Sequence, residues 1–345
     1  MPACRIDGEP ASSEAGHARA AEILTSAKYP LFLGLGGLTC EAQRLVISLA
    51  DRRQGCVGAT TEADSPFDAA VKSVGMVTAT LGEVRHRADL IIFWGVDPAT
   101  THPRHFERYS LEPRGEFIPN GRRDRKCIVV GPTDTLTAAA ADFRLETNLH
   151  GHVANENAIA MLKSSNEVSE HINKARYVAL FFDPKAADET LLTLVRDMNH
   201  KTRFVCLPIG EPGNAAGAKQ LLAWQTGRTG LVDFSTGAPR DAHGVLTTDA
   251  AVLIACSPAV DPIGDVSAAT REHLVRIPRV AIHTADVAPP EGAAVSFVVA
   301  TPGIHTGGTV FRCDGVPLPL RPAVEPPFPA AEAVLRAIER AVEKS

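Results

Sequence analysis

At 345 residues, with 45% hydrophobic and 22% charged content, the chain has room for two α/β lobes, each with its own core. A net charge of -5 excludes a general nucleic-acid or anionic-membrane footprint, and no apolar run approaches the roughly 20 residues of a membrane-spanning helix. The seven cysteines are dispersed without a CxxC pair, which argues against a disulfide frame or a zinc site; no apolar signal segment follows Met1, so a cytoplasmic protein is expected.

Residues 13–28 read as an amphipathic helix with Ala20, Ile23, Leu24 and Ala27 on one face, stopped by Tyr29-Pro30. Leu31 to Leu35 follows as a short buried strand. Gly34-Leu35-Gly36-Gly37 then opens a helix capped by Thr39. The dinucleotide fingerprint needs glycine where Thr39 stands, so this turn reads as backbone geometry rather than a phosphate cradle. A strand near Cys56 to Thr60, a polar turn and a helix from Phe67 lead to Ala88–Gly95. Apart from Asp89 that stretch is continuously apolar, the pattern of a strand buried on both faces of a parallel sheet. Gly95-Val96-Asp97-Pro98 ends it in a turn, and two His, two Arg and two aromatics crowd residues 101–109, where ligands gather in open α/β sheets. Another strand, Lys126 to Pro132, follows the basic loop 120–125.

The alternation restarts after residue 150, with strands near 177–182, 203–207, 251–255, 280–283 and 295–299 and helices near 153–163, 186–199 and 214–225. The expected fold is α/β: two Rossmann-like lobes with mostly parallel sheets, residues 1–150 and 151–301. Residues 302–345 are expected to wrap the surface and close in an amphipathic helix over Ala331 to Glu343.

Four ordered stretches carry a family likeness. They are Gly34-Leu35 with Thr39 to Arg44; Thr80 to Val84 with Ala88 to Gly95 and His102 to His105; Gly213 to Gly227 with Val232 to Arg240; and Gly307 to Arg312 with Asp314 to Leu318. Spanning residues 30–320, they resemble the B subunit of formylmethanofuran dehydrogenase, a member of the molybdopterin-dependent oxidoreductase superfamily, which implies that superfamily's core. The resemblance implies for redox members a tungsten or molybdenum bis-pterin and an iron–sulfur cluster, held by soft thiolates. Here Cys4 alone precedes Cys40, and the loop that would carry the metal-binding Cys reads Thr60-Thr61-Glu62-Ala63-Asp64-Ser65-Pro66-Phe67. Thr236 stands where a redox member is expected to carry a basic residue. Asp64 and Ser65 mark a vestigial cofactor loop, and neither metal, pterin nor cluster is expected.

This pattern resembles the B subunit of the bacterial formyltransferase/hydrolase complex. The resemblance implies a non-catalytic subunit in a four-subunit assembly that converts formyl-tetrahydromethanopterin to formate through a methanofuran-type carrier. Its partners would be an amidohydrolase-like subunit, a formyltransferase subunit and a third structural subunit. The alternatives are an active tungsten or molybdenum subunit liganded by Asp64 or Ser65, and a free-standing nucleotide- or pterin-binding protein using the turn Gly34 to Gly37. No nucleophile elbow, HExxH or P-loop motif occurs.

His102 and His105, three apart, would share a helical face, with Asp97 or His86 as a third metal ligand; contact with a partner is the preferred reading, and no metal site is expected. The basic residues Arg85, His86, Arg87, Arg104, Arg108, Arg122, Arg123, Arg125 and Lys126 are candidates for guiding the polyglutamyl tail of a methanofuran-type carrier. Their plainer reading is solvated loops and ion pairs. Cys56, Cys127, Cys206 and Cys256 read as inert core thiols, and His283 and His305 as packing or surface residues.

Overall fold

A computed structural model describes residues 2–61, 64–149, 151–210, 212–242, 244–264, 266–290 and 292–344. The chain begins with β1 (Cys4–Ile6), β2 (Glu9–Pro10), α1 (Ser13–Ser26), β3 (Pro30–Leu33), α2 (Cys40–Arg52) and β4 (Cys56–Gly58). It continues through α3 (Pro66–Val74), α4 (Leu81–Arg87), β5 (Leu90–Trp94), α5 (Pro98–Thr101), α6 (His105–Arg108), β6 (Lys126–Gly131), α7 (Leu136–Ala139) and β7 (Phe143–Glu146). Then come α8 (His152–Ser164), α9 (Asn166–Lys174), β8 (Tyr177–Phe182), α10 (Glu189–Met198) and β9 (Arg203–Pro208). The last third holds α11 (Ala215–Thr226), β10 (Val232–Asp233), β11 (Arg240–Asp241), β12 (Ala250–Ala255), α12 (Ala268–Arg276), β13 (Arg279–Thr284), β14 (Val295–Val299), β15 (Gly308–Phe311), β16 (Pro317–Leu320) and α13 (Ala331–Val342).

The helix starts are written in the sequence. Ser12, Thr39, Ser65, Thr80, Asp188 and Ser267 each accept a backbone N–H from the first turn of the helix that follows. Pro66 adds a preset φ at the start of α3. Every residue of β5, β8, β12, β13 and β14 is buried, which explains the unbroken apolar runs of β5, β8 and β12; β13 and β14 also bury Arg279, His283, Thr284 and Ser296.

Two compact units result, divided differently from the expected lobes. The first combines Met1–Asp64, Pro212–Arg312 and Pro317–Ser345; the second is Ser65–Glu211 with Cys313–Val316. The boundaries at 150 and 301 are therefore corrected. Strand pairing is the reason: β3 lies in parallel register on β12 (Leu31 opposite Ala251), whereas β8 lies on β5 (Leu90 opposite Val178). Both sheets are assembled from strands distant in the chain, a relation that hydrophobic periodicity does not encode.

In the first unit nine strands run β11-β10-β4-β3-β12-β13-β14-β1-β2, with a parallel centre and antiparallel edges. Its core packs Phe32, Val252, Ile254 and Ile282 against α1, α2, α11 and α13, where Val334, Leu335 and Ile338 are buried as the periodicity predicts. The expected surface wrap at 302–329 contains a hairpin instead, β15 on β16. In the second unit five parallel strands run β7-β6-β5-β8-β9. From β5 the chain winds to one side through β6 and β7, then returns to the other through β8 and β9. The carboxyl ends of β5 and β8 thus form the switch point of a doubly wound sheet. The helix α3 with α8 to α10 covers one face, and α4 and α7 pack on the other.

Candidate functional site

Three of the four stretches that carry the family likeness meet in the first unit. Gly34 adopts a left-handed conformation (φ 94°), and a Cβ there would lie 2.0 Å from the Ile254 carbonyl oxygen. The turn it opens is held from two sides. The Gln43 side-chain amide donates to the carbonyls of Leu35 (2.9 Å), Leu38 (3.3 Å) and Asn214 (3.1 Å). Asn214, buried, donates through its backbone to Gly36 O (2.6 Å) and through Nδ2 to Leu38 O (2.9 Å), and its Oδ1 accepts from Phe311 N–H (2.7 Å). Glu41 accepts from the backbone N–H (2.9 Å) and hydroxyl (2.7 Å) of Thr309. Burial draws the Glu41 carboxyl upward, but these hydrogen bonds prevail and hold it below the usual range.

The glycine turn is therefore a close-packing device whose carbonyls are already engaged, as its partial fingerprint suggests. The sequence did not single out Gln43, Asn214 or Thr309; their signal lay only in the co-occurrence of the three stretches. Asn214→Ala removes the Nδ2 donor to the Leu38 carbonyl and strands the buried Phe311 N–H, and is expected to lower unfolding stability by about 1–3 kcal/mol in urea titrations.

The side chains of the vestigial loop can be set against the ligands that a bis-pterin metal needs. Asp64 Oδ1 accepts three hydrogens, from Thr229 N–H (2.6 Å), Thr229 Oγ1 (2.6 Å) and Gly230 N–H (2.8 Å). Ser65 Oγ accepts Asp68 N–H (3.0 Å) and donates to the Asp68 carboxylate (2.7 Å), fixing the start of α3. Glu62 and Ala63 lie outside the described residues. Cys56, the nearest thiol in sequence, is buried in β4 with Sγ 2.6 Å from Tyr29 Oη, and burial pushes it up to about 12. It lies in the strand before the loop, not in the loop itself. The described side chains of this loop do not fit a thiolate-held tungsten or molybdenum. Burial likewise pushes Cys127, Cys206 and Cys256 up to about 12.

In the second unit the structure separates residues that looked alike. The expected single helical face for His102 and His105 does not exist: α5 ends at Thr101, and α6 begins at His105. His105 is only 5% exposed, packed edge-on against Phe181 (4.6 Å between centroids, 89°) and near Phe93, Phe106 and Tyr109. Its Nε2 has no hydrogen-bond partner, and burial, with a smaller contribution from His102, depresses it to about 3. It is a core residue, not a partner contact. His102 Nδ1 lies 2.9 Å from Thr101 Oγ1. Asp97, one proposed third ligand, has Oδ1 engaged by the Thr137 N–H (2.9 Å) and hydroxyl (2.5 Å) and Oδ2 by Thr100 (2.6 Å).

Arg125 is likewise corrected. It is 1% exposed and gives its guanidinium to four carbonyls: Ala88 (3.1 Å), Leu111 (3.2 Å), Pro113 (2.5 Å) and Arg85 (2.6 Å). Arg122 braces Arg125 O (2.7 Å) and pairs with Asp142 (2.8 Å). Arg104 pairs with Glu107 (2.9 Å), and Arg108 and Arg123 are exposed. Arg122 and Arg123 precede the amino end of β6, whereas His102 and Arg104 follow the carboxyl end of β5, so the two basic groups start from opposite strand ends of one parallel sheet.

Comparison with known proteins places the chain. It is 32% identical over 358 residues to the B subunit of the tungsten-containing formylmethanofuran dehydrogenase 2 of Methanococcus maripaludis, covering 94% of this chain and 80% of that one. The corresponding protein of Methanocaldococcus jannaschii is 33% identical over 357 residues, with the same coverage. The chain belongs to the formylmethanofuran dehydrogenase B-subunit family. The B subunit of the formyltransferase/hydrolase complex Fhc of Methylorubrum extorquens is 26% identical over 339 residues, 89% of this chain and 87% of that one. A chain in the X-ray crystal structure of the FhcABCD complex from that organism, bound to methylofuran, matches with a TM-score of 0.77 across 99% of both chains at 23% identity, which shows a shared fold. No family model matches. Family membership thus rests on similarity along nearly the whole chain.

Proposed function

We propose that this member of the B-subunit family is a non-catalytic assembly subunit of a formyltransferase/hydrolase complex. Such a complex converts formyl-tetrahydromethanopterin to formate by way of a methanofuran-type carrier. The observation that carries the reading is the loop after β4, where Asp64 Oδ1 is bound to the Thr229–Gly230 backbone and no described residue is a thiolate. Neither a bis-pterin metal nor an iron–sulfur cluster belongs to this proposal.

The proposed partners are the amidohydrolase-like hydrolase, the formyltransferase and a third structural subunit, in the cytoplasm. No helix among the described residues is long and apolar enough to cross a membrane. Of the basic residues considered for the carrier's polyglutamyl tail, Arg85, His86, Arg87, Arg104, Arg108, Arg123 and Lys126 are exposed as such a contact needs, while Arg125 is not. A second reading, an active tungsten or molybdenum subunit, is favoured by the higher identity to the tungsten-containing relatives, 32–33% against 26%. Affinity purification of the chain from its native cells tests the assembly. Stoichiometric recovery of three companion subunits is expected, and recovery of the chain alone would contradict it.

A further inference from the structure

The second unit contains a group of metal-binding side chains away from every residue discussed above. His152 is the first residue of α8, Asp188 caps α10, and Glu189 is the first residue of α10. One donor atom from each lies within 4.8 Å of the others. His152 Nδ1 is 3.3 Å from Asp188 Oδ2 and 3.6 Å from Glu189 Oε1.

What lies behind the group makes it more than a surface ion cluster. Asp188 is 7% exposed and its orientation is set by its neighbours. Oδ1 accepts from Thr190 N–H (3.0 Å) and Oγ1 (2.5 Å), while Asn155 Nδ2 donates to Oδ2 (3.3 Å) and to Ala186 O (3.0 Å). Asn155, itself 1% exposed, accepts at Oδ1 from the indole N–H of the fully buried Trp94 (3.2 Å). A chain of buried hydrogen bonds thus runs from the last residue of β5 to one carboxylate of the group, the outer-shell support that orients metal ligands. It starts at the carboxyl end of β5, beside the switch point where doubly wound sheets bind ligands.

We propose that His152, Asp188 and Glu189 form a binding site for a divalent first-row metal ion of the Zn2+ class, clamping the start of α8 to the start of α10. Two carboxylates balance the ion's charge. The imidazole nitrogen selects against Ca2+ and Mg2+, which prefer all-oxygen shells. Three protein ligands leave positions for water, while Glu156, 3.6 Å from His152 Nε2, faces the ring nitrogen that does not point at the site. The positive ends of two helices face the site, which favours the ionised carboxylates while opposing the cation.

The test is titration of the tag-free, chelator-treated chain with Zn2+, and with Co2+ as a spectroscopic substitute. One equivalent should bind, with a visible Co2+ absorption band that Zn2+ displaces. His152→Gln with Glu189→Gln alters two exposed side chains and is expected to weaken binding at least ~10-fold. The metal-free double variant should melt like the metal-free parent, separating lost ligands from lost folding. Asn155→Leu, which removes the outer support of Asp188 together with the partners of Trp94 and Ala186, should weaken binding by a smaller factor. Absence of a stoichiometric equivalent in the parent, or equal affinity in the double variant, would overturn the assignment.

Discussion

Replacing Arg125 by methionine is expected to destabilise the protein by about 3–5 kcal/mol, among the largest effects of any single substitution. Methionine fills a similar volume but donates nothing, so the carbonyls of Arg85, Ala88, Leu111 and Pro113 lose a buried donor together. Those carbonyls belong to the end of α4, the entry to β5 and the return segment after α6. Their release loosens the frame around the central strand. Arg125→Lys should recover little, because one ammonium has three donors and lacks the planar fork that reaches four acceptors. Burial pushes the guanidinium down to about 10, which leaves it charged at neutral pH. Urea unfolding monitored by circular dichroism reads the loss directly. A cost below about 1 kcal/mol would show that water or backbone movement replaces the side chain.

His105 makes stability depend on pH in a defined direction. Its folded pKa of about 3 lies below the ordinary value of 6.5, so between these limits the unfolded chain binds more protons than the folded one. The stabilisation is complete above pH ~6.5 and is lost as pH falls toward the folded pKa, at up to ~1.4 kcal/mol per unit. His102 and His17, also lowered chiefly by burial, contribute with the same sign, so the variant is needed to isolate His105. His105→Phe keeps the aromatic packing against Phe181 and removes the titration. Between pH ~7 and ~5 the parent should lose about 2 kcal/mol more than the variant. Equal losses would place His105 in contact with water and contradict its position in the core.

These two residues also mark where the sequence stopped being informative. The apolar runs of β5, β8 and β12, the serine and threonine caps, and the inward face of α13 follow from local pattern and survive in the structure. Arg125 sits in a run of charges, Asn120-Gly121-Arg122-Arg123-Asp124-Arg125-Lys126, that reads as a solvated loop. Nothing local distinguishes the one arginine that turns inward, because its acceptors lie on segments up to 40 residues away in sequence. The shared face read for His102 and His105 assumed one continuous helix. The break between α5 and α6 removed that premise. Pairing between β3 and β12 was hidden for a similar reason, since parallel partners are chosen by tertiary packing across long crossovers. The family likeness carried what local pattern could not, and its stretches meet at Asn214, Glu41 and Thr309.

The central claim is the proposal that the loop after β4, which carries no cysteine, no longer holds a bis-pterin metal. The most direct measurement is elemental analysis for tungsten, molybdenum and iron, with an absorption spectrum, on the chain purified with its native partners after removing subunits that carry metals of their own. The account predicts a colourless subunit without stoichiometric tungsten, molybdenum, iron or pterin. A coloured subunit holding about one tungsten or molybdenum per chain would contradict it and make Asp64 or Ser65 a ligand.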